Sequence, residues 1–400
     1  MTATADQEAE SRFDRIKVLA NHPLSNIYLI TGATLLLLAL GLIMVLSASS
    51  IESYRVFGST YTVALRQLLF AVMGVVGMFV SARASVQFWR GIAWWLLISA
   101  LVLLVLVLLI GVEVAGQRNW IEIFGPFRLQ PSEIAKLALV IWGADLLARK
   151  ERSLHTWSHL LVPLLPVAGL MMLLILLEGD YGNTFMLLAI TVGMLFAAGA
   201  PLRLFAVIAG VGLAGTWLLT IAAPYRMGRF SSWLDPSADP LGTGWQLTQG
   251  KYALGTGGIL GVGLGASREK WGSLPEAHTD FIFSVIGEEL GIIGTFAVLL
   301  LIGLLAFAIF RLTRTTKDPF VRYASAGIGS WIVFQAVVNI GAVLGLLPIT
   351  GVPLPLVSYG GSSLIPTLVA LGMVLSFARN EPAARQALRR RATAQSMRKH

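Results

Sequence analysis

What most limits the fold of this chain is a recurrence of apolar runs long enough to cross a bilayer. A transmembrane helix needs about 20 mostly apolar residues. Ten segments meet or approach that length, at 26–49, 63–81, 91–112, 131–148, 160–177, 184–199, 204–222, 283–310, 323–347 and 361–378. No soluble domain interrupts them. The expectation is one all-α, polytopic integral membrane domain of ten transmembrane helices over 26–379, with a hydrophilic tail at 1–25 and a basic tail at 380–400. Composition agrees: only 13% of the 400 residues are charged and the mean hydropathy is +0.75, where a soluble domain carries about a quarter charged residues. This excludes a disordered chain, a water-soluble enzyme and a nucleic-acid-binding domain, despite the high pI. There is no cysteine, which excludes disulfides, thiolate metal sites and cysteine nucleophiles. The first apolar run, Asn26 to Ser49, outlasts the roughly 7–15-residue core of a signal peptide and reads as a retained span.

The basic excess is a topology signal. With the N-terminus inside, twenty of the thirty Lys and Arg fall on the cytoplasmic side, nine fall outside and Lys136 lies within a span. The positive-inside rule then places both termini in the cytoplasm. The tail after Arg379 is either a surface for anionic lipid or a cytoplasmic partner, or a solvated tail that only enforces topology. On the outer side lie nine basic and twelve acidic residues, leaving aside Glu133 and Lys136. The one long outer loop, about 224–281 between helices 7 and 8, is rich in Gly and Trp and reads as ordered and functional.

Three clusters carry chemistry. The first is Ser273-Leu-Pro-Glu276-Ala-His278-Thr-Asp280-Phe-Ile-Phe-Ser284, ending in Glu288-Glu289. Ser273 with Glu276 is a capping-box pattern, so a helix is expected from about 274 into the eighth span. On it Glu276, Asp280, Ser284 and Glu288 would form one polar stripe, with His278 nearby, facing a cavity or the bundle interior. A continuous helix would put Asp280 at headgroup height on the outer side. The bland alternative is a solvated helix start with capping carboxylates.

The second cluster is Gln130-Pro-Ser-Glu133-Ile-Ala-Lys136. Pro131 opens the fourth span, Glu133 suits the positive end of its dipole, and Lys136 is placed to pair with it, as a functional or a structural ion pair. Trp120 just upstream is either an interface anchor or a sugar-stacking platform. The third runs from Asn339 through Pro348, Pro353 and Pro355 to Ser358-Tyr-Gly360-Gly361-Ser-Ser. It is uncharged, apolar and helix-breaking, and is expected to form a re-entrant loop under the cavity. Amides near Gly360 and Gly361 could hold an anion. Asp180, between spans five and six, is a turn residue or part of an outer acidic rim. Arg66 is a snorkelling residue or an anion contact. Other patterns carry less: Gly261-Val-Gly-Leu-Gly265-Ala lacks a βαβ setting for a dinucleotide, Glu151, His155 and His159 lack a further metal ligand, and Ser358 lacks the glycine of a nucleophile elbow.

Together these clusters resemble the SEDS family of cell-shape, division and sporulation membrane proteins, over about residues 26 to 380. The run Pro275-Glu-Ala277-His-Thr-Asp-Phe-Ile-Phe, followed by Ile286-Gly-Glu-Glu-Leu-Gly291, looks like the division branch, whereas the elongation branch more often has Arg at the position of Ala277. The resemblance implies a peptidoglycan glycosyltransferase in the bacterial cytoplasmic membrane, at the division septum. Its substrate would be lipid II, an undecaprenyl-pyrophosphate-linked disaccharide pentapeptide. It would make β-1,4 glycan strands with inversion and release undecaprenyl pyrophosphate. By motif match Asp280 is the essential acid, and Glu133 with Lys136 the cavity pair. The resemblance also implies a class B penicillin-binding protein (FtsI-like transpeptidase) and other division proteins as partners.

A compatible chemistry can be built from the residues. Asp280 takes the proton of the attacking hydroxyl. Arg66, Lys136, Arg226, Arg229 and Lys251 are on the correct side or depth to meet the anionic leaving group. A divalent cation (Mg or Mn) held by outer carboxylates could share that work, although no metal ligand is assigned. A lipid II flippase and a non-catalytic scaffold for the transpeptidase remain as alternatives.

Overall fold

The protein is described here by a computed structural model covering residues 22–114, 116–124, 127–153, 161–221, 231–236 and 242–397. Each of the ten apolar segments coincides with a helix: α1 Ser25–Phe57, α2 Thr62–Ser81, α3 Val86–Ile110, α4 Pro131–Arg149, α5 Leu164–Leu177, α6 Tyr181–Ala197, α7 Leu202–Ile221, α9 Ile282–Thr315, α10 Pro319–Val343 and α11 Gly361–Asn380. Helix α8, Thr243–Gly257, lies in the long loop, and α12, Pro382–Met397, forms most of the basic tail. Among the described residues six helices (α1, α2, α3, α9, α10 and α11) are long and apolar enough to cross a membrane, while α5, α6 and the first part of α7 are apolar but shorter. The chain is a multi-pass membrane protein.

Local sequence sets the helix starts. Ser85 caps α3 by accepting from the Phe88 amide, Asp180 caps α6 through the Asn183 amide, and Asp318 caps α10 ahead of Pro319. These side chains satisfy first-turn amides that have no intrahelical acceptor. Helix α4 is buried nearly all round, between α3, α6 and α10. That position explains three of its four charges, Glu133, Lys136 and Asp145, which meet protein rather than lipid, while Arg149 in the last turn is exposed. Glu133 pairs with Lys136, and Asp145 with both Arg90 and Arg149. Around this centre α11 packs on α2, α9 on α1 and on α10, and α8 on α9.

Two features depart from the all-α expectation. The loop before α4 is a three-stranded antiparallel sheet, β1 Val112–Val114, β2 Gln117–Phe124 and β3 Phe127–Leu129. Val112 lies opposite Trp120, and Glu122 opposite Arg128 with an ion pair of 3.0 Å. The second departure concerns the start of the eighth span. The helix begins at Ile282, not near 274, because residues 273–281 form consecutive turns in which Glu276 adopts φ +54°. That left-handed residue ends any helix there.

Candidate functional site

The broken helix start removes the expected stripe. Glu276 is exposed, and its carboxylate accepts from the Thr279 hydroxyl at 2.5 Å, while its carbonyl accepts from the Thr279 and Phe281 amides. Glu288 is buried and accepts from the Ser267 hydroxyl at 2.6 Å and the Arg268 amide at 2.8 Å. The four residues therefore point to separate surroundings. Asp280 is placed by a tight turn at the mouth of α9 instead of by helical periodicity.

That turn is held by the loop between α10 and α11. Residues 348–360 are non-helical, yet Val352, Leu354, Leu356, Val357 and Ser358 are buried, as expected of irregular backbone enclosed in protein. The Ser358 hydroxyl donates to the Thr279 carbonyl at 2.6 Å and accepts from the Leu354 amide at 2.8 Å. The Tyr359 amide donates to the His278 carbonyl at 3.0 Å. Asn339, on α10, donates to the carbonyls of Asp280 and Val352 at 2.9 and 2.8 Å. Three successive carbonyls, of 278, 279 and 280, are thus fixed from outside the turn. The half-buried Asp280 borders a crevice of about 10 Å³ shared with Asn339, Thr350 and Gly351.

Of the two amides expected to hold an anion, that of Gly360 is taken by protein. The Gly360 amide donates to the Gln67 side chain at 3.2 Å, and the Gln67 amide returns a bond to the Ser358 carbonyl at 3.1 Å. Gln67 is a buried residue of α2 that pins the loop. Gly361 lies against the Phe70 ring, where a Cβ would clash.

The Glu133–Lys136 pair forms as expected, at 2.7 Å and fully enclosed. Lys136 Nζ sits 4.8 Å from the centre of the Trp331 ring. From there a polar ladder runs along α10: Trp331 donates to Gln335 at 2.7 Å, Gln335 donates to the Pro353 carbonyl at 2.8 Å, and Asn339 follows one turn later. Beside it Asp180 is a hub. It is buried and accepts from Gln130 at 2.9 Å, Asn119 at 3.2 Å and the Asn183 side chain at 2.8 Å. Gly182, in the same turn, packs beneath Thr350 and Val352. Asp280, Asp180 and the ion pair therefore surround one loop. Glu178, two residues before Asp180, is buried with neither carboxylate oxygen hydrogen-bonded, and burial followed by the Asp180 charge pushes its carboxyl up to about 8.

Other expected residues surround this centre. His278 packs on Tyr359 and lies 3.3 Å from Glu52 of α1, a residue the sequence did not signal. Arg66 lies over Phe57 and acts on Tyr359, whose phenol burial pushes up against the opposing effect of that guanidinium. Lys251, exposed on α8, rests against Gly345. Trp120 follows Asn119 in β2, so it points to the opposite face of the strand from the residue that meets Asp180. Arg226, Arg229, His155, His159 and most of the 1–25 tail lie outside the described residues. Among the described residues no three of His, Asp and Glu converge as metal ligands. The large groove, about 1510 Å³ between α6, α7, α9 and α10, is apolar and includes none of these residues.

The class this defines is a multi-pass membrane protein with a buried polar centre built on a non-helical loop enclosed by protein. The profile of the FtsW/RodA/SpoVE family, described as "Cell cycle protein", matches residues 28–382, and the chain belongs to that family. It is 44% identical to the probable peptidoglycan glycosyltransferase FtsW of Mycobacterium tuberculosis, over 92% of this chain and 70% of that one. It is 41% identical to stage V sporulation protein E of Bacillus subtilis, over 86% and 95%. Among solved structures it is similar to a chain of a peptidoglycan synthase complex that coordinates polymerization and crosslinking (TM-score 0.72, 32% identity, 88% and 97% covered). It is also similar to the rod shape determining protein RodA of Thermus thermophilus (TM-score 0.66, 29% identity, 89% and 97% covered).

Proposed function

We propose that the chain is a peptidoglycan glycosyltransferase that polymerises lipid II at the outer face of the cytoplasmic membrane during septal wall synthesis. The observation that carries this reading is the fixed geometry of Asp280. A carboxylate acting as base must hold one position against a hydroxyl, and three flanking carbonyls are pinned by Ser358, Tyr359 and Asn339. In the reaction the acceptor hydroxyl attacks the anomeric carbon of the donor with inversion. Its proton passes to Asp280, the new β-1,4 bond forms, and undecaprenyl pyrophosphate leaves with the electrons of the broken bond. Arg66, over Phe57, and Lys251, against Gly345, are described basic residues available to the leaving group, and Arg226 and Arg229 belong to the long loop between α7 and α9. A Mg or Mn ion would take its ligands largely from substrate phosphates and water, and no step requires it. The names of the relatives support the activity, and the synthase-complex neighbour supports a class B penicillin-binding protein as partner.

A flippase would need a polar path for the sugars. The large groove between α6, α7, α9 and α10 is mostly apolar, whereas Asp280, Asp180 and the Glu133–Lys136 pair gather around the 348–360 loop, which favours catalysis at that loop. The test is glycan synthesis from lipid II by the purified protein, with and without its transpeptidase. Asp280→Asn should abolish product while the protein stays folded, and undiminished synthesis would overturn the assignment. Filamentation on depletion supports the septal role, and rounding opposes it.

A further inference from the structure

Outside the polar centre, one segment has no role in the chemistry above. Gly258-Ile-Leu-Gly-Val-Gly-Leu-Gly265 joins α8 to the 3₁₀ turn at Glu269–Trp271, and it alternates glycine with large aliphatic residues without a single charge. Its partner is a break in α9. At Gly291 the helix leaves the helical region (φ 67°, ψ −161°), which frees backbone groups on both sides. The glycine-rich segment takes them up. The Val262 and Gly263 amides donate to the carbonyls of Glu288 and Glu289 at 2.9 and 3.0 Å, and the Ile292 amide donates to the Gly258 carbonyl at 3.0 Å. The approach is backbone on backbone: a Cβ on Gly261 would lie 2.2 Å from the Glu289 carbonyl oxygen.

The aliphatic side chains point away from this contact. Ile259 is 68% exposed and Leu260 78%, with Val262 and Leu264 also exposed. The ladder sets them beside Ile292, Ile293 and Phe296, which are likewise exposed and open the membrane face of α9. At the far end Lys270 donates to the Gly265 carbonyl at 2.7 Å and pairs with buried Glu289 at 3.1 Å, which also accepts from Ser47 of α1. The segment is therefore clamped to the bundle.

We propose that residues 258–265 form a re-entrant wedge immersed in the hydrocarbon of the leaflet on the Asp280 side, with lipid chains as the occupant of its exposed face. Non-helical backbone is tolerated at membrane depth only where protein satisfies its polar groups, and the α9 break does so here. The apolar face continues the lipid-facing surface of α9 without interruption. Trp271, exposed at the end of the segment next to Arg268, fits the aromatic and basic border of such an insertion.

The absence of cysteine makes Leu260→Cys and Leu264→Cys unique attachment points for a spin label. Both positions are exposed, so the label displaces no packing. The full chain is placed one copy per nanodisc of phosphatidylethanolamine and phosphatidylglycerol, and collisions with oxygen and with a water-soluble nickel chelate are measured. Ile293→Cys serves as the lipid reference and Arg385→Cys as the aqueous one. The expected oxygen-to-nickel ratio at 260 and 264 matches that at 293 and is several-fold above that at 385. A ratio like that at 385 would place the segment in water, and protection from both reagents would mean that protein covers it. Either result overturns the proposal.

Discussion

The side-chain amide of Asn339 donates to the main-chain carbonyl of Asp280 at 2.9 Å. The same amide group holds the Val352 carbonyl at 2.8 Å. One residue of α10 thus fixes the turn that carries the acid and the loop beneath it. Asn339→Leu should leave two buried carbonyls short of a donor, costing about 1–3 kcal/mol. Because misplacing a reacting group by about 1 Å can cost around 10²-fold in rate, kcat for glycan synthesis should fall by that order with a smaller change in KM. Equal kcat in wild type and variant would refute the positioning role.

The Glu133–Lys136 pair is fully enclosed, so removing one partner strands a charge. Lys136→Met should destabilise the protein by about 3–5 kcal/mol, and the double change Glu133→Gln with Lys136→Met should recover most of it. Thermal unfolding in detergent reads both effects. Recovery of stability without recovery of activity would assign the pair to the reaction, whereas recovery of both would leave it a structural bond.

Gly291 combines φ 67° with a neighbour in the way: a Cβ there would lie 2.4 Å from the Ile259 carbonyl oxygen. Gly291→Ala should therefore break the seam between the glycine-rich segment and α9. Strained backbone of this kind costs about 1–3 kcal/mol. Tm should fall, and hydrogen exchange at the Val262 and Gly263 amides should rise, while the α6 amides stay protected. Unchanged exchange at 262 and 263 would contradict the ladder.

Glu178 adds a pH dependence. Its carboxyl is raised from 4.5 to about 8 by burial and by Asp180, so the folded state holds a proton that the unfolded state releases earlier. Stability from this group is complete below about 4.5, falls as pH rises toward 8 and is flat above. Glu178→Gln keeps the side chain neutral and should remove this slope, raising Tm relative to wild type most at pH values above 8. Parallel Tm–pH curves for the two proteins would show that Glu178 is charged when folded.

Much of this was legible before any fold was known. Runs of about 20 apolar residues have one stable solution in lipid, because every backbone group must be satisfied within the segment, and all ten runs fall on helices. The Glu133–Lys136 pair followed from a three-residue spacing in one helix. The Pro–Gly run at 348–359 had to be buried. Some signals were present but unread. Trp120-Ile-Glu-Ile-Phe124, then Gly125-Pro126, then Phe127-Arg-Leu129 is an alternating pattern across a turn dipeptide, and it marks the small sheet. Gln67 and Gln335, amides within apolar helices, were open to the rule that polar residues in such segments carry a function.

The rest belonged to tertiary structure. The capping-box pattern at Ser273–Glu276 favours a helix locally, yet external donors from Asn339, Ser358 and Tyr359 take the carbonyls of 278, 279 and 280. Those partners lie some 60 to 80 residues away along the chain, beyond the reach of any periodicity. The sequence by itself determined the helices, the membrane and the residue types available for chemistry, because these depend on local spacing and solvent. Only the fold decided which carboxylate sits on a pinned turn, which is buried unpaired and which is a cap, because that depends on what arrives from elsewhere to satisfy the backbone around it.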